Sequence, residues 1–149
     1  MIAAGDHAPD FSLPAVPRPV ALAELRSRGA VVVIFYAADS TPLCARELAP
    51  FVTDHAEIAA LGVEVVAISS DDLASHAEFA RRLAVPFPLA TDASLDVARA
   101  FGVVDEVARR AKRAVFVVGR DGRLLHANHD YNPGSAADYE SVIAALGGA

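Results

Sequence analysis

The sequence predicts a mixed α/β fold in which helices cover both faces of one central sheet. Two observations lead to this prediction. Short runs of β-branched and aromatic residues alternate with segments of helical periodicity, and the last two runs are joined by a tight turn. With 149 residues and 54% hydrophobic side chains, the chain has the size and apolar content of a single domain. We therefore expect one domain over residues 1–149.

The first part of the chain is predicted to form an extended arm, a short helix and a central strand. Four prolines in the first twenty residues favour extended backbone and turns. Residues 20–29 are predicted to form a short strand that enters a helical turn ending near Gly29. Residues 31–36, VVVIFY, are apolar on both faces, which is typical of a strand covered by helices on each side.

A long helix is predicted after this strand. Apolar residues recur at helical spacing from Cys44 to about Leu61, and Gly62 is a typical C-terminal cap. Pro50 lies inside this span. It is expected to kink or restart the helix, because it lacks an N–H group and crowds the preceding turn.

The second half alternates strands and helices and then adds a hairpin. The predicted elements are, in order, a strand over residues 63–69, a helix capped within SSDD and ending at Leu83, a short strand and turn in FPLATD, a short helix in SLDVARAFG closed by Gly102, a hairpin of AVFVV and RLLHA with its turn at Asp121-Gly122, and a helix from near Ser135 to Gly147-Gly148. The resulting order, β-α-β-α-β-α-β-β-α, is typical of a thioredoxin-like fold.

The composition argues against several classes of function. The 13 basic and 19 acidic residues give a net charge of −6, which disfavours binding to nucleic acid. The single cysteine, Cys44, excludes an internal disulfide and a C-x-x-C metal site. The N-terminal residues lack the basic and long apolar regions of a signal peptide, and the longest apolar run, residues 30–38, is too short to span a bilayer. We therefore expect a cytoplasmic protein that binds neither nucleic acid nor membrane.

Cys44 is either a buried packing residue, as most lone cysteines are, or a nucleophile. Open α/β sheets place functional sites at the carboxyl ends of their strands. Cys44 follows Tyr36 by eight residues and falls in the predicted first turn of a helix, where free amides and the helix dipole favour a thiolate. The hydroxyl of Thr41 is able to donate to the sulfur or to a bound oxygen. This position favours the nucleophile.

A cation that accompanies the thiolate is predicted in the RRAKR run, residues 109–113. Arg109, Arg110 and Lys112 are interpreted as a solvated face. Arg113 differs because it leads directly into the apolar strand AVFVV. A charge so close to a buried strand is costly unless it is paired, so we expect Arg113 to point at a functional group.

Five segments together resemble the peroxiredoxins of the alkyl hydroperoxide reductase and thiol-specific antioxidant family. They follow one another in the family's order, from Gly5 to about Leu146. The segments are GDHAPDFSL, AADSTPLC, VVAISSDDLASHAEFARR, FPLATDASLDVARAFGV and RAVFVVGRDGRL. The resemblance implies a thioredoxin-like fold. It also implies a thiol-dependent peroxidase that reduces hydrogen peroxide or organic hydroperoxides and needs no metal or organic cofactor.

The resemblance further implies roles for individual residues. Cys44 matches the peroxidatic cysteine, which attacks the terminal peroxide oxygen and becomes a sulfenic acid. Thr41 matches its hydroxyl partner, and Arg113 matches the arginine that holds the thiolate and the peroxide oxygen. Glu47 matches a frequent family glutamate that is able to orient this arginine. A surface charge on a helix is the alternative for Glu47.

Two positions depart from the family pattern. The family proline seven residues before the cysteine is Ala37 here, so we expect a looser pocket with a slower peroxide reaction or easier over-oxidation. The position of a common resolving cysteine is Ala49. The resemblance is therefore to one-cysteine members, whose sulfenic acid is reduced by an outside thiol, either a small molecule or a thioredoxin- or glutaredoxin-type protein. Relatives also pair into dimers, and a homodimer is one expectation for this chain.

Other interpretations remain open from the residues alone. The missing proline is compatible with a redox sensor or with a weakened, non-peroxidase member of the fold. TPLC resembles a dithiol site whose first cysteine is replaced by Thr41, and this replacement rules out ordinary dithiol exchange. His76 is interpreted as structural. His126, His129 and Asp130 have donors for a metal, but surface polarity is the preferred interpretation.

Overall fold

The computed structural model describes residues 1–147, which form ten strands and six helices. The strands are β1 (Ser12–Leu13), β2 (Ala15–Val16), β3 (Val20–Ala21), β4 (Val31–Phe35), β5 (Glu64–Ser69), β6 (Leu89–Thr91), β7 (Val104–Asp105), β8 (Arg110–Ala111), β9 (Ala114–Val118) and β10 (Leu124–Asn128). The helices are α1 (Leu22–Arg28), α2 (Pro42–Thr53), α3 (His55–Ala60), α4 (Leu73–Leu83), α5 (Asp96–Ala100) and α6 (Ala136–Leu146). Over this described range, none of the helices has the length and hydropathy needed to cross a bilayer.

Six strands form the central mixed sheet, in the order β10-β9-β4-β5-β6-β2. β4 is parallel to β5 and antiparallel to β9, and β5 is parallel to β6. The edge strands β2 and β10 are both antiparallel to their neighbours. The carboxyl ends of the three parallel strands β4, β5 and β6 therefore meet at one end of the sheet, where open α/β folds carry their sites.

Every residue of β4 is buried, because helices cover both faces of the sheet. Val31, Val33 and Phe35 pack on the face that carries α1 and α5. Val32 and Ile34 pack on the opposite face, against α2, α4 and α6. This arrangement confirms the predicted mixed sheet with helices on both faces.

The predicted helix over residues 44–61 is divided in two, and the expected break at Pro50 is wrong in its position. α2 begins at Pro42, and the chain leaves the helix at Asp54, four residues beyond Pro50, before α3 begins. Pro50 is accommodated inside α2, whereas Asp54 adopts a bridge-region backbone with φ −97° and ψ 8°. The hydroxyl of Tyr139 donates to the Asp54 carboxylate at 2.6 Å. The break therefore coincides with a tertiary contact, which local sequence does not reveal.

The other predicted helices and strands are confirmed within small shifts at their ends, and two features differ. The segment before Arg113, for which no strand was predicted, contains the β7–β8 hairpin, whose two-residue strands are too short to show periodicity. The last helix ends at Leu146 with Gly147 as its cap residue. Gly148, the other predicted end point, lies outside the described residues.

Gly29 lies in the connection from α1 to β4, and it packs against Gly62 in the connection from α3 to β5. Its backbone is extended (φ 169°), which suits any residue. A Cβ atom at this position, however, would overlap with the carbonyl oxygen of Gly62. We predict that Gly29→Ala lowers the free energy of unfolding by at least about 3 kcal/mol, because the opposing atom belongs to backbone and cannot rotate away. Urea denaturation followed by circular dichroism measures the change.

Gly134→Ala is the matched control. A Cβ atom there meets the Asn132 side chain at 3.4 Å, an ordinary contact. We expect a change below about 0.5 kcal/mol. Equal losses of stability in the two variants would contradict the steric role of Gly29.

Candidate active site

The loop that follows β4 carries the first part of the site. The amide of Tyr36 still donates to the carbonyl of Ile68 on β5, at 3.1 Å, so the chain leaves the sheet only after this residue. Ala37 follows and is 9% exposed. The loop over residues 37–41 then crosses the carboxyl end of the sheet and delivers the chain to α2.

Thr41 ends this loop and caps α2. Its Oγ1 atom accepts a hydrogen bond from the Cys44 amide at 3.2 Å, and Pro42 occupies the first helical position, where a missing N–H group costs nothing. Cys44 is thus the third residue of the helix, which confirms its predicted place in the first turn. The Thr41 hydroxyl donates to the Ala38 carbonyl at 3.4 Å. The predicted donation to the sulfur is not observed; here the hydroxyl acts as the cap that places Cys44.

Arg113 reaches the same region from far along the chain. β9 runs antiparallel to β4, with Ala114 opposite Phe35. The residue that precedes β9 therefore lies beside the residue that follows β4, so Arg113 lies near Tyr36. Arg113 is half-buried, and its carbonyl accepts from the amide of Tyr131 at 3.0 Å.

A pocket of about 360 Å³ brings three of the predicted residues together. Ala37, Thr41 and Arg113 all line it, along with the partly exposed Leu43. Arg110 and Lys112 are exposed, as the interpretation of a solvated face implied, and they also line this pocket. The Cys44 side chain is fully buried and is not among the residues that line the pocket; it belongs to the same apolar cluster as Ala37.

Glu47 lies one turn after Cys44 on α2 and is fully buried, so its interpretation as a surface charge is wrong. Neither carboxyl oxygen has a hydrogen-bond partner among residues 1–147. In the same range no hydrogen bond or ion pair joins it to Arg113, so the proposed orienting contact is not formed. Burial, with a smaller effect from the negative charge of Cys44, raises the pKa of Glu47 well above its ordinary value, and Arg113 opposes this only in part. The buried environment therefore favours the neutral acid over the carboxylate.

His76 is fully buried on α4, and its ring contacts Tyr36, Asp39 and the carbonyl of Ala90. These contacts support its structural interpretation. No local pattern indicated Asp39 as its partner, because the two residues lie 37 positions apart and share no motif with each other.

Of the residues that the structure describes, one group has the spacing of a metal site: Asp39, Asp71 and His76, with ligand atoms within 4.8 Å of one another. The carboxylates in this group already accept hydrogen bonds from side-chain and backbone donors. We therefore interpret this group as a hydrogen-bonded network. His126 and His129 were considered as metal ligands in the sequence analysis. Within residues 1–147 they do not form a group with the spacing of a metal site.

Comparison with known proteins decides the family. Residues 4–127 match the model of the AhpC/TSA family. The chain belongs to this family. Peroxiredoxin Q, chloroplastic, of Oryza sativa subsp. japonica is 33% identical over 135 residues, which are 89% of this chain and 62% of the rice protein. Peroxiredoxin 2 of Thermoplasma acidophilum is 32% identical over 120 residues, which are 76% of this chain and 60% of that protein.

A solved structure extends the comparison to three dimensions. The crystal structure of peroxidoxin BcpB from Mycobacterium tuberculosis matches with a TM-score of 0.88 and 31% identity, covering 99% of this chain and 98% of that one. This confirms the thioredoxin-like fold and the resemblance to peroxiredoxins. The chain spans about three fifths of the length of the rice and Thermoplasma relatives. The roles of Cys44, Thr41, Arg113, Glu47 and Ala37 remain predictions for this AhpC/TSA chain.

The buried Glu47 gives the stability of the protein a specific pH dependence. Its pKa is about 4.5 in an unfolded chain and higher in the folded one. Between these two values the folded protein keeps a proton that the unfolded chain has lost. The free energy of unfolding therefore falls as pH rises, by up to about 1.4 kcal/mol per pH unit from this group. We predict that Glu47→Gln removes this slope, so the variant gains stability relative to the native protein as pH rises through this window.

Urea denaturation at a series of pH values from about 4 to about 8 measures this difference. Glu47→Leu, which has no carboxyl group and no amide, serves as the control for new hydrogen bonds and should show the same gain with pH. Stability curves of the native protein and both variants that run parallel over the whole range would contradict a neutral buried Glu47.

Proposed function

We propose that this protein is a thiol-dependent peroxidase that reduces hydrogen peroxide or organic hydroperoxides through a sulfenic acid on Cys44. The supporting observation is the convergence at one pocket of Thr41 and Arg113, from separate elements, next to a cysteine in the first turn of a helix. Family membership and the peroxiredoxin names of its relatives support the same activity.

The first step is a displacement at oxygen. The Cys44 thiolate attacks the terminal oxygen of the peroxide, the S–O bond forms and the O–O bond breaks. The electron pair leaves with the other oxygen as hydroxide or alkoxide, which takes a proton to become water or an alcohol. Negative charge passes from sulfur to oxygen along this path. Arg113 is the cation that stabilises it, and the positive end of α2 adds to this stabilisation.

The second step needs a reductant from outside the chain. Cys44 is the only cysteine in these 149 residues, so no internal disulfide forms. An external thiol attacks the sulfenic sulfur, water leaves, and a second thiol releases Cys44 from the mixed disulfide. We propose a small-molecule thiol or a thioredoxin- or glutaredoxin-type protein as this reductant. Neither step requires a metal or an organic cofactor.

The setting of the reaction is also a proposal. A lone cysteine with a reducible sulfenic acid suits a compartment rich in thiols, which supports the cytoplasm. Pairing of two copies is proposed by analogy with relatives. The consequence expected of Ala37, a slower reaction or easier over-oxidation than with a proline at that position, belongs to this proposal as well.

The test is the reaction of the reduced protein with one equivalent of hydrogen peroxide, followed by intact-mass spectrometry with time. We predict a rapid gain of one oxygen on Cys44. Arg113→Ala should slow this gain by roughly a hundredfold or more, because it removes the cation that stabilises the charge on the leaving oxygen.

Arg82→Ala is the matched control, since Arg82 is an exposed arginine on α4 that does not line the pocket. It should react at the native rate. Oxidation of native Cys44 no faster than that of free cysteine would refute the peroxidase proposal. Equal rates in the two arginine variants would refute the role of Arg113.

A further inference from the structure

A buried polar network lies beside the site and has no part in the steps above. Its centre is the carboxylate of Asp39, which is 4% exposed. This carboxylate accepts from the Tyr36 hydroxyl at 2.5 Å and from the Ser75 hydroxyl at 2.8 Å, and Nδ1 of His76 lies 2.9 Å away. Nε2 of His76 lies 3.0 Å from the carbonyl oxygen of Ala90 on β6.

Both ring nitrogens of His76 face oxygen atoms, Nε2 the Ala90 carbonyl and Nδ1 the Asp39 carboxylate. A carbonyl oxygen and a carboxylate accept hydrogen bonds, so the ring is anchored at both ends by acceptors. Burial raises the pKa of Asp39, but hydrogen bonds from His76, Tyr36 and Ser75 outweigh it and hold that pKa below its ordinary value.

The Tyr36 hydroxyl also lies 3.2 Å from Nδ1 of His76, so it contacts both members of the pair. The other groups that face this centre are Ser69 and Asp71, at and just after the end of β5.

Asp39 connects this network to the reacting cysteine through a short path. Its amide donates to the Asp71 carboxylate at 2.9 Å, so backbone and side chain of the same residue are both anchored. The neighbouring Ala38 carbonyl accepts from the Thr41 hydroxyl, and Thr41 caps the Cys44 amide. The loop between β4 and α2 contains no proline at positions 37–41, so its shape depends on such contacts.

We infer that Asp39 and His76 are positioning residues: their contact holds the 37–41 loop, and through this loop it sets the placement of Thr41 and Cys44. The part of this inference that concerns reaction rate rests on the proposed peroxidase function. The part that concerns loop order does not.

Two substitutions of His76 distinguish the contact that Nδ1 makes with Asp39 from the contact that Nε2 makes with Ala90. An asparagine amide occupies the place of Nδ1 and keeps a donor toward Asp39, whereas a glutamine amide occupies the place of Nε2 and keeps only the contact to Ala90. We expect His76→Gln to speed hydrogen exchange of the Cys44 amide and to slow its oxidation by peroxide about tenfold, and His76→Asn to stay within about threefold of native in both. Asp39→Asn, an isosteric change, should resemble His76→Gln and covers the case in which a His76 variant fails to fold.

The control for general loss of stability is Ser135→Ala, which removes the cap of α6, away from this network. It should leave both readouts at native values. Equal behaviour of His76→Asn and His76→Gln in amide exchange would overturn the positioning role.

If native Cys44 reacts no faster than free cysteine, the peroxidase proposal fails, while amide exchange still decides whether Asp39 and His76 hold the loop.

Discussion

The hydrogen bond from the Cys44 amide to the Thr41 hydroxyl is the contact on which the proposed site depends. It joins the end of the β4–α2 loop to the first turn of α2 and so fixes where the helix begins. Because the cap is a side-chain oxygen, it satisfies an amide that would otherwise lack a partner. The same contact sets the cysteine at the third helical position, close to the positive end of the helix dipole.

The strand pairing places the proposed cation beside this position. Antiparallel pairing of β9 with β4 places Arg113 next to the carboxyl end of β4, although it lies 69 residues after Cys44 in sequence. A shift of one residue in this register would turn the following side chains to the opposite face of the sheet. The buried strands that fix the register therefore also fix the distance between the arginine and the pocket.

Local patterns in the sequence were enough to predict this framework. The central strand, the place of Cys44 in the first turn of a helix and the position of Arg113 before a buried strand all follow from hydrophobic periodicity, capping chemistry and the cost of a charge beside a buried strand. The site features that escaped prediction depend on tertiary contacts instead. Glu47 shows the same i,i+3 spacing to Cys44 whether it is buried or exposed, so the sequence could not decide its environment.

The Asp39–His76 pair illustrates the same limit. Each residue has an ordinary local explanation, one as a loop residue and the other as a helix residue. Only the side-by-side packing of β4, β5 and α4 shows that they meet, and that Asp39 also binds Tyr36 and Ser75. Polar networks of this kind are costly when incomplete, so the complete set of partners ties the loop to the rest of the fold.

The rate constant for oxidation of Cys44 by hydrogen peroxide in Thr41→Ser and Thr41→Val shows whether the Thr41 oxygen places Cys44 for reaction. Serine keeps the oxygen, and valine keeps the shape without it. Stopped-flow measurement with excess peroxide should show the serine variant within about threefold of native and the valine variant slower by about tenfold to a hundredfold. Equal rate constants for the two variants would contradict the account.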